Sequence, residues 1–292
     1  MRLTAWLVAM TVVKLILAAC WGWTNDIPQT LAQAEAFLHS PSVLRPEHPS
    51  IFPLGYYWLA TAPLLASMWT GLSYAFWLKV PAILADLAIA LTLRTMSRGG
   101  AWAAFLYIVN PVSFLLSVYH GQLHTPAAAG AVLALWYAER HRRMASGVAL
   151  ALSASVRQHF GLLILPLMLA SRTRRLALVA GFALVTLLAN VTLIGTYRHG
   201  IMASPVWAYG AWGYGMLFLQ GPRLLEWCGL EGIVEAATGV NQLLQVYGPK
   251  VYWGWAAVFL GWVWRRSRRH EPADPWREGL VFLLGLYAVS PG

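Results

Sequence analysis

The chain has 292 residues, of which 59% are hydrophobic and only 11% are charged. Ordinary soluble domains are about 45–50% apolar and about 25% charged, so the composition excludes an ordinary soluble domain and predicts an integral membrane protein partnered by the lipid bilayer. The net charge of +10 comes largely from short arginine clusters beside apolar runs. Such clusters are typical of cytoplasmic anchoring and argue against a nucleic-acid partner.

Apolar segments follow one another along the chain, and each predicts a membrane helix or part of one. They fall at about 4–23, 51–72, 75–96, 101–119, 126–138, 144–171, 176–196, 251–264 and 277–290. Two long polar stretches, 24–50 and 197–250, interrupt them. We therefore predict one all-α domain over 1–292, a polytopic transmembrane helical bundle with two external loops. The last run ends without a polar anchor, so we expect the natural chain to continue beyond it.

The first apolar segment carries Lys14 and is followed by bulky tryptophans instead of a cleavage site, so we expect a retained anchor. Asp26 then opens the first external loop. A carboxylate at the membrane surface can act as a general base. It can equally be a solvated loop acid or the cap of a helix that begins near Pro28.

Later in the same loop, Glu47 and His48 stand between two prolines that stiffen the chain beside the bilayer. This pair is either part of a site or an interfacial turn with snorkelling charges. The next segment, 51–72, contains Pro53 and Pro63. If the amino terminus is cytoplasmic, this segment must be broken or re-entrant at its prolines; otherwise the amino terminus is external.

Lys79 and Asp86 lie seven residues apart, which is two helical turns, so they share one face of the predicted helix 75–96. Ionisable groups at membrane depth suggest a functional site. Because they are too far apart to pair with each other, we expect other partners, either Arg157 or Lys14. A structural buried ion pair is the favoured interpretation for Asp86.

His120, Gln122 and His124 form a polar group at the end of segment 101–119. Histidines two and four residues from one another can converge on a metal, and a divalent metal is therefore conceivable. No carboxylate lies nearby in the sequence, so hydrogen bonding to a substrate or to the backbone is the favoured interpretation.

Arginine clusters bracket segment 144–171 at both ends, so both ends are expected on the cytoplasmic side. We predict a re-entrant helical hairpin broken at Arg157, Gln158 and His159, which places polar groups at depth beside a cavity. Arg157 is the best candidate to hold an anion because a guanidinium offers two donors to phosphate oxygens. Snorkelling, or pairing with Asp86, is the alternative.

Aromatic residues and glycines alternate around Trp212 in the second external loop. Such rings can stack on a sugar or an isoprenoid tail, or form an interfacial aromatic belt.

Several of these motifs resemble the GT-C superfamily of polytopic glycosyltransferases. The resemblance lies in Asn110–Pro111–Val112, His120–Gly121–Gln122, the 144–171 hairpin and Lys79–Val80–Pro81 with Ala85–Asp86–Leu87. It is nearest to bacterial polyprenol-phosphate mannosyltransferases and dolichyl-phosphate-glucose-dependent glucosyltransferases. It covers about 20–175 well. Two departures stand out: Arg157 stands where lysine is common, and Leu123–His124–Thr125 differs from the sequence that family members often have after the histidine–glycine pair.

The resemblance implies an inverting hexosyltransferase that takes mannose or glucose from a polyprenyl-phosphate-linked donor. The acceptor would be a glycan, lipid or protein on the external face, with a bacterial plasma membrane favoured over the endoplasmic reticulum. It implies a catalytic acid at Asp26 and a second acid at Glu47. Substrate contacts are expected from His48, His120, Gln122, His124, Arg157, Gln158, His159 and Trp212. The alternatives are a transporter or flippase for a lipid-linked or anionic solute, and a non-catalytic membrane subunit.

Overall fold

The computed structural model describes residues 2–21, 24, 26–39, 54–95, 99–170, 175–190 and 274–289, with a few positions between 247 and 265. These residues form helices and no strand, so the all-helical class is confirmed for this part of the chain. The predicted second external loop, apart from Tyr247, lies outside the described residues, and segment 251–264 is described in part.

The helices keep the order of the apolar segments. They are α1 (Arg2–Cys20), α2 (Asp26–His39), α3 (Leu54–Thr70), α4 (Tyr74–Arg94), α5 (Gly100–Val109), α6 (Pro111–Phe114), a π-helix (Leu115–His120), α7 (His124–Glu139), α8 (Arg143–Val156), a 3₁₀-helix (Gln158–Leu163), α9 (Ile164–Ala170), α10 (Arg175–Asn190) and α11 (Pro275–Val289).

Two described helices are long and apolar enough to cross a membrane. They are α1 over Leu3–Cys20 and α4 over Tyr74–Arg94. A third span results if α5 and the stretch Pro111–His120 are counted as one, although the two parts are bent by 50° from each other. The remaining described helices are shorter than a full crossing.

Small residues allow the central helices to pack closely. On α7, Ala127, Ala131, Ala134 and Ala138 recur every three or four residues and are almost completely buried, so this face meets its neighbours without bulky side chains. A Cβ added at Gly147 of α8 would lie only 2.1 Å from the Leu178 carbonyl oxygen of α10. The backbones of α8 and α10 are therefore in direct contact.

Three local predictions can be compared with the structure. Of the two alternatives for Asp26, the one with a helix that begins near Pro28 is present, because 26–39 is the helix α2. Segment 51–72 is not broken at Pro63, which is buried inside the continuous helix α3. Segment 101–119 is instead broken at Asn110, whose side chain accepts a hydrogen bond from the Val112 amide and starts a new helix at Pro111.

Asp86 of α4 forms a buried ion pair with Lys14 of α1, at 2.5 Å. Ser113 donates to the same carboxylate oxygen, and the Tyr107 hydroxyl donates to the other at 2.8 Å. The favoured sequence interpretation, a structural pair for Asp86, is confirmed with Lys14 as its partner. The network ties α1, α4, α5 and α6 together, because each hydrogen bond satisfies a group that burial would otherwise penalise.

Lys79 of α4 contacts the backbone of α1 and does not belong to the Lys14–Asp86 network. Its ammonium group donates hydrogen bonds to the backbone carbonyls of Ala18 and Trp21, at the carboxyl end of α1. A cation is favourable there because the last carbonyls of a helix are unpaired and carry partial negative charge. Lys79 therefore fixes the end of α1 that leads into α2.

The predicted interruption of segment 144–171 is present. Helix α8 ends at Val156, Arg157 adopts an extended backbone with φ −141° and ψ 105°, and a 3₁₀-helix follows. The chain bends back here, since a Cβ added at Gly161 would lie 3.1 Å from the Ala154 side chain. That both ends of the segment reach the same side of a membrane stays a prediction.

Candidate functional site

A cavity of about 340 Å³ lies where α2, α3, α4 and the turn between the π-helix and α7 meet the break at Arg157. This volume is in the range of small-molecule sites. Its lining residues are Asp26, Gln29, Thr30, Gln33, Tyr56, Leu78, His120, Gly121, Gln122, Leu123, His124 and Arg157. Asp26 and Arg157, which are far apart in the sequence, therefore border the same space.

One part of the cavity wall is built around Asp26, the first residue of α2. The Gln122 side-chain amide donates a hydrogen bond to Asp26 Oδ2 at 3.1 Å, and His120 Nδ1 lies 3.5 Å from the same oxygen. The Asp26 side chain is still 51% exposed. One carboxylate oxygen is thus held in place, while the group as a whole remains accessible.

The turn that carries His120 and Gln122 depends on Gly121. This residue has φ +62° and ends the π-helix, a left-handed conformation that glycine adopts without penalty. The backbone N–H of Gln122 then donates a hydrogen bond to the Leu116 carbonyl at 3.1 Å. An added Cβ at Gly121 would lie 3.0 Å from Lys79 Cγ. The turn therefore rests on the lysine that also holds the end of α1.

Another part of the cavity wall is built around Arg157. Its guanidinium lies 3.3 Å from His124 Nδ1 and 5.5 Å from the centre of the Tyr56 ring. Burial, together with the charge of Arg157 and the neighbouring His159, lowers the pKa of His124 to about 3. The His124 ring is therefore neutral near pH 7, and its Nδ1 accepts from Arg157, which can only donate.

Helix α2 contributes a polar face that sequence reasoning missed. Asp26, Gln29, Thr30 and Gln33 all line the cavity, and their spacing of three, four and seven residues places them on one side of a helix. The Thr30 hydroxyl donates to the Asp26 carbonyl and lies 3.2 Å from the Tyr56 hydroxyl. The signal was the helical spacing of these polar residues, which sequence reasoning did not follow beyond Asp26 although a helix that begins near Pro28 was considered.

The structure places the predicted site residues as follows. His120 and Gln122, which were expected to contact the substrate, both lie beside the carboxylate of Asp26. His159 is not among the lining residues, and its ring lies against that of Phe160 with the ring centres 4.5 Å apart and the planes tilted by 38°. Gln158 is described by its backbone alone, as the first residue of the 3₁₀-helix. Glu47, His48 and Trp212 lie outside the described residues.

Among the side chains that the structure describes, no three histidines, cysteines, aspartates or glutamates converge as metal ligands. The cavity is lined by the carboxylate of Asp26, the guanidinium of Arg157 and several amide, hydroxyl and imidazole groups.

Comparison with known proteins gives no relative. No family model, no curated protein and no solved structure matches this chain.

Proposed function

We propose that this chain is a multi-pass membrane hexosyltransferase that resembles the GT-C type and uses a polyprenyl-phosphate-linked donor. The observation that carries the proposal is the shared cavity, bordered by the accessible carboxylate of Asp26 and by the guanidinium of Arg157. Transfer of a glycosyl group from a lipid phosphate requires one group to take a proton from the acceptor and another to receive the negative phosphate.

The membrane part of the proposal is supported by apolar residues on the outside of the described helices. Trp69 is 92% exposed and Trp102 is 70% exposed, and both lie close to ends of apolar helices. Tryptophan is enriched at membrane–water interfaces. Helices α1 and α4 would cross the bilayer, and the broken helices would be tolerated where they border the cavity.

Asp26 would act as general base. An acceptor hydroxyl oxygen attacks the anomeric carbon of the donor hexose while its proton passes to Asp26. The bond from that carbon to the phosphate oxygen breaks on the opposite side, so the configuration inverts, as in inverting glycoside hydrolysis. The hydrogen bond from Gln122 fixes Oδ2 and leaves Oδ1 to receive the proton.

Arg157 would receive the leaving group. The electron pair of the broken bond stays on the lipid phosphate, and a guanidinium can hold two of its oxygens at once. His124 would orient the guanidinium, since its neutral ring accepts a hydrogen bond without adding a competing charge. Glu47 is retained as the proposed second acid, and His48 and Trp212 are retained as proposed contacts to the substrate.

The test is transfer of radiolabelled hexose from a polyprenyl-phosphate donor by the full chain in lipid vesicles. Asp26→Asn is expected to slow transfer by about 10²–10⁴-fold. The matched control is Glu35→Gln, because Glu35 is an exposed carboxylate on the same helix that does not line the cavity. Near-normal transfer by Asp26→Asn would remove Asp26 from the mechanism.

The same vesicles distinguish the proposal from transport. A transporter or flippase would move the labelled lipid or solute across the membrane without forming a covalent product, and a non-catalytic subunit would do neither. Accumulation without a glycosylated acceptor would therefore contradict the proposed reaction.

A further inference from the structure

Helix α2 presents neutral hydrogen-bonding groups to the cavity on both sides of Thr30. Gln29 lies one turn from Asp26, and Gln33 lies one turn beyond Thr30. From Asp26 to Gln33 the helix rises by about 10 Å. The lining therefore offers a ligand one carboxylate, one cation and a row of amide and hydroxyl groups.

Gln33 is the notable member of this row. Its Oε1 atom is buried and has no hydrogen-bond partner among the described residues. A buried amide oxygen without a hydrogen bond is energetically unfavourable. Thr30, one turn earlier, differs from Gln33 because its hydroxyl already donates a hydrogen bond to the Asp26 carbonyl. Gln33 is thus a polar group at the cavity wall, and its amide oxygen accepts no hydrogen bond from the part of the chain that the structure describes.

We infer that the polar face of α2 is a sugar subsite, in which Gln33 forms hydrogen bonds with the hydroxyl groups of an uncharged hexose. An amide carries both a donor and an acceptor, as a hydroxyl group does, so the two can bond in either direction. A phosphate would instead bind at Arg157. Gln33 would therefore determine specificity for the sugar without contacting the reacting atoms.

The inference rests on the proposed function for the choice of a sugar as ligand, but binding alone tests it. The probes are glucose 1-phosphate, mannose 1-phosphate, their monodeoxy analogues and inorganic phosphate, titrated into the full chain in lipid nanodiscs. Wild-type protein is expected to bind a parent sugar phosphate more tightly than inorganic phosphate. Its affinity should be about threefold to tenfold lower for the one monodeoxy analogue that lacks the hydroxyl bound by Gln33.

Gln33→Leu preserves size and removes the hydrogen bonds. This variant should bind the parent sugar phosphate about threefold to tenfold more weakly than wild type. Its affinities for that one deoxy analogue and for inorganic phosphate should equal those of wild type. Glu35→Leu on the same helix is the control and should change none of them. Circular dichroism and thermal unfolding of both variants would show whether the helical fold is kept.

An equal effect of Gln33→Leu on every probe, or no effect on any, would overturn the sugar subsite. So would wild-type protein that binds sugar phosphates no better than inorganic phosphate. These outcomes are separate from the transfer assay. If affinity depends on one hydroxyl but no hexose is transferred, the transferase is refuted and the subsite stands. If hexose is transferred but affinity depends on no single hydroxyl, the subsite is refuted and the transferase stands.

Discussion

The side-chain amide of Gln122 donates a hydrogen bond to Asp26 Oδ2 at 3.1 Å, although the two residues are 96 positions apart in the chain. Asp26 starts a helix and Gln122 follows a glycine turn, so the contact joins two separately built elements. In the proposed reaction it would hold the general base in the orientation needed for proton transfer.

Gln122→Leu should therefore reduce the transfer rate without abolishing donor binding. We expect kcat to fall by about tenfold, because a poorly oriented base loses part of the benefit of positioning, and KM to change little. Initial rates over a range of donor concentrations measure both. A rise in KM alone would show that Gln122 contacts the substrate instead of positioning Asp26.

The Lys14–Asp86 pair predicts a thermodynamic coupling. Lys14→Met or Asp86→Leu alone leaves a buried charge without its counter-ion and should destabilise the protein by about 3–5 kcal/mol. The double variant removes both charges and should be clearly more stable than either single variant. Thermal unfolding in one detergent measures this, and purely additive losses would mean that the two residues are not coupled.

Contact between α8 and α10 predicts that Gly147 cannot carry a side chain. Gly147→Ala would place a methyl group 2.1 Å from the Leu178 carbonyl oxygen, and the helices must separate at a loss of about 1–3 kcal/mol. Ala180→Val, at an exposed position of α10, is the control. Unfolding midpoints that are equal for Gly147→Ala and wild type would contradict the close packing.

His124 predicts a loss of stability in acid. Its folded pKa of about 3 lies below the ordinary value of 6.5, so only the unfolded chain takes up this proton between those limits. Its stabilising contribution is complete above pH 6.5 and falls by about 1.4 kcal/mol for each unit below it. The decrease in melting temperature from pH 7 to pH 5 should be smaller in His124→Gln.

The control for this pH dependence is His39→Gln, since His39 is exposed at the end of α2. It should follow the wild-type curve. If His124→Gln shows the same loss in acid as wild type, the histidine is not the group responsible.

The sequence was informative where one physical cause dominated. Apolar length located the helices, and arginine clusters with the central polar triplet located the break at Arg157. A buried carboxylate needed a cation, and Lys14 was one of the two that were considered. The helices and the break are signalled by local residues alone, whereas the buried carboxylate signalled the need for a cation without deciding which one.

It was less informative where contacts join distant segments. Pro63 does not break α3, because tertiary packing buries it within a continuous helix. The break instead falls at Asn110, where a side-chain cap and a proline start a new helix. The pairing of Gln122 with Asp26, and the participation of Gln33, depend on how α2 is placed. No spacing within one segment reports that placement.

The central claim is that Asp26 and Arg157 act on opposite ends of one scissile bond. The most direct measurement is equilibrium binding of a fluorescent polyprenyl-phosphate hexose, compared in Arg157→Gln and Asp26→Asn, with transfer followed in the same preparations. We expect Arg157→Gln to weaken donor binding by about 10- to 100-fold, and Asp26→Asn to bind the donor normally but transfer hexose about 10²–10⁴-fold more slowly. Normal donor binding by Arg157→Gln would contradict the account.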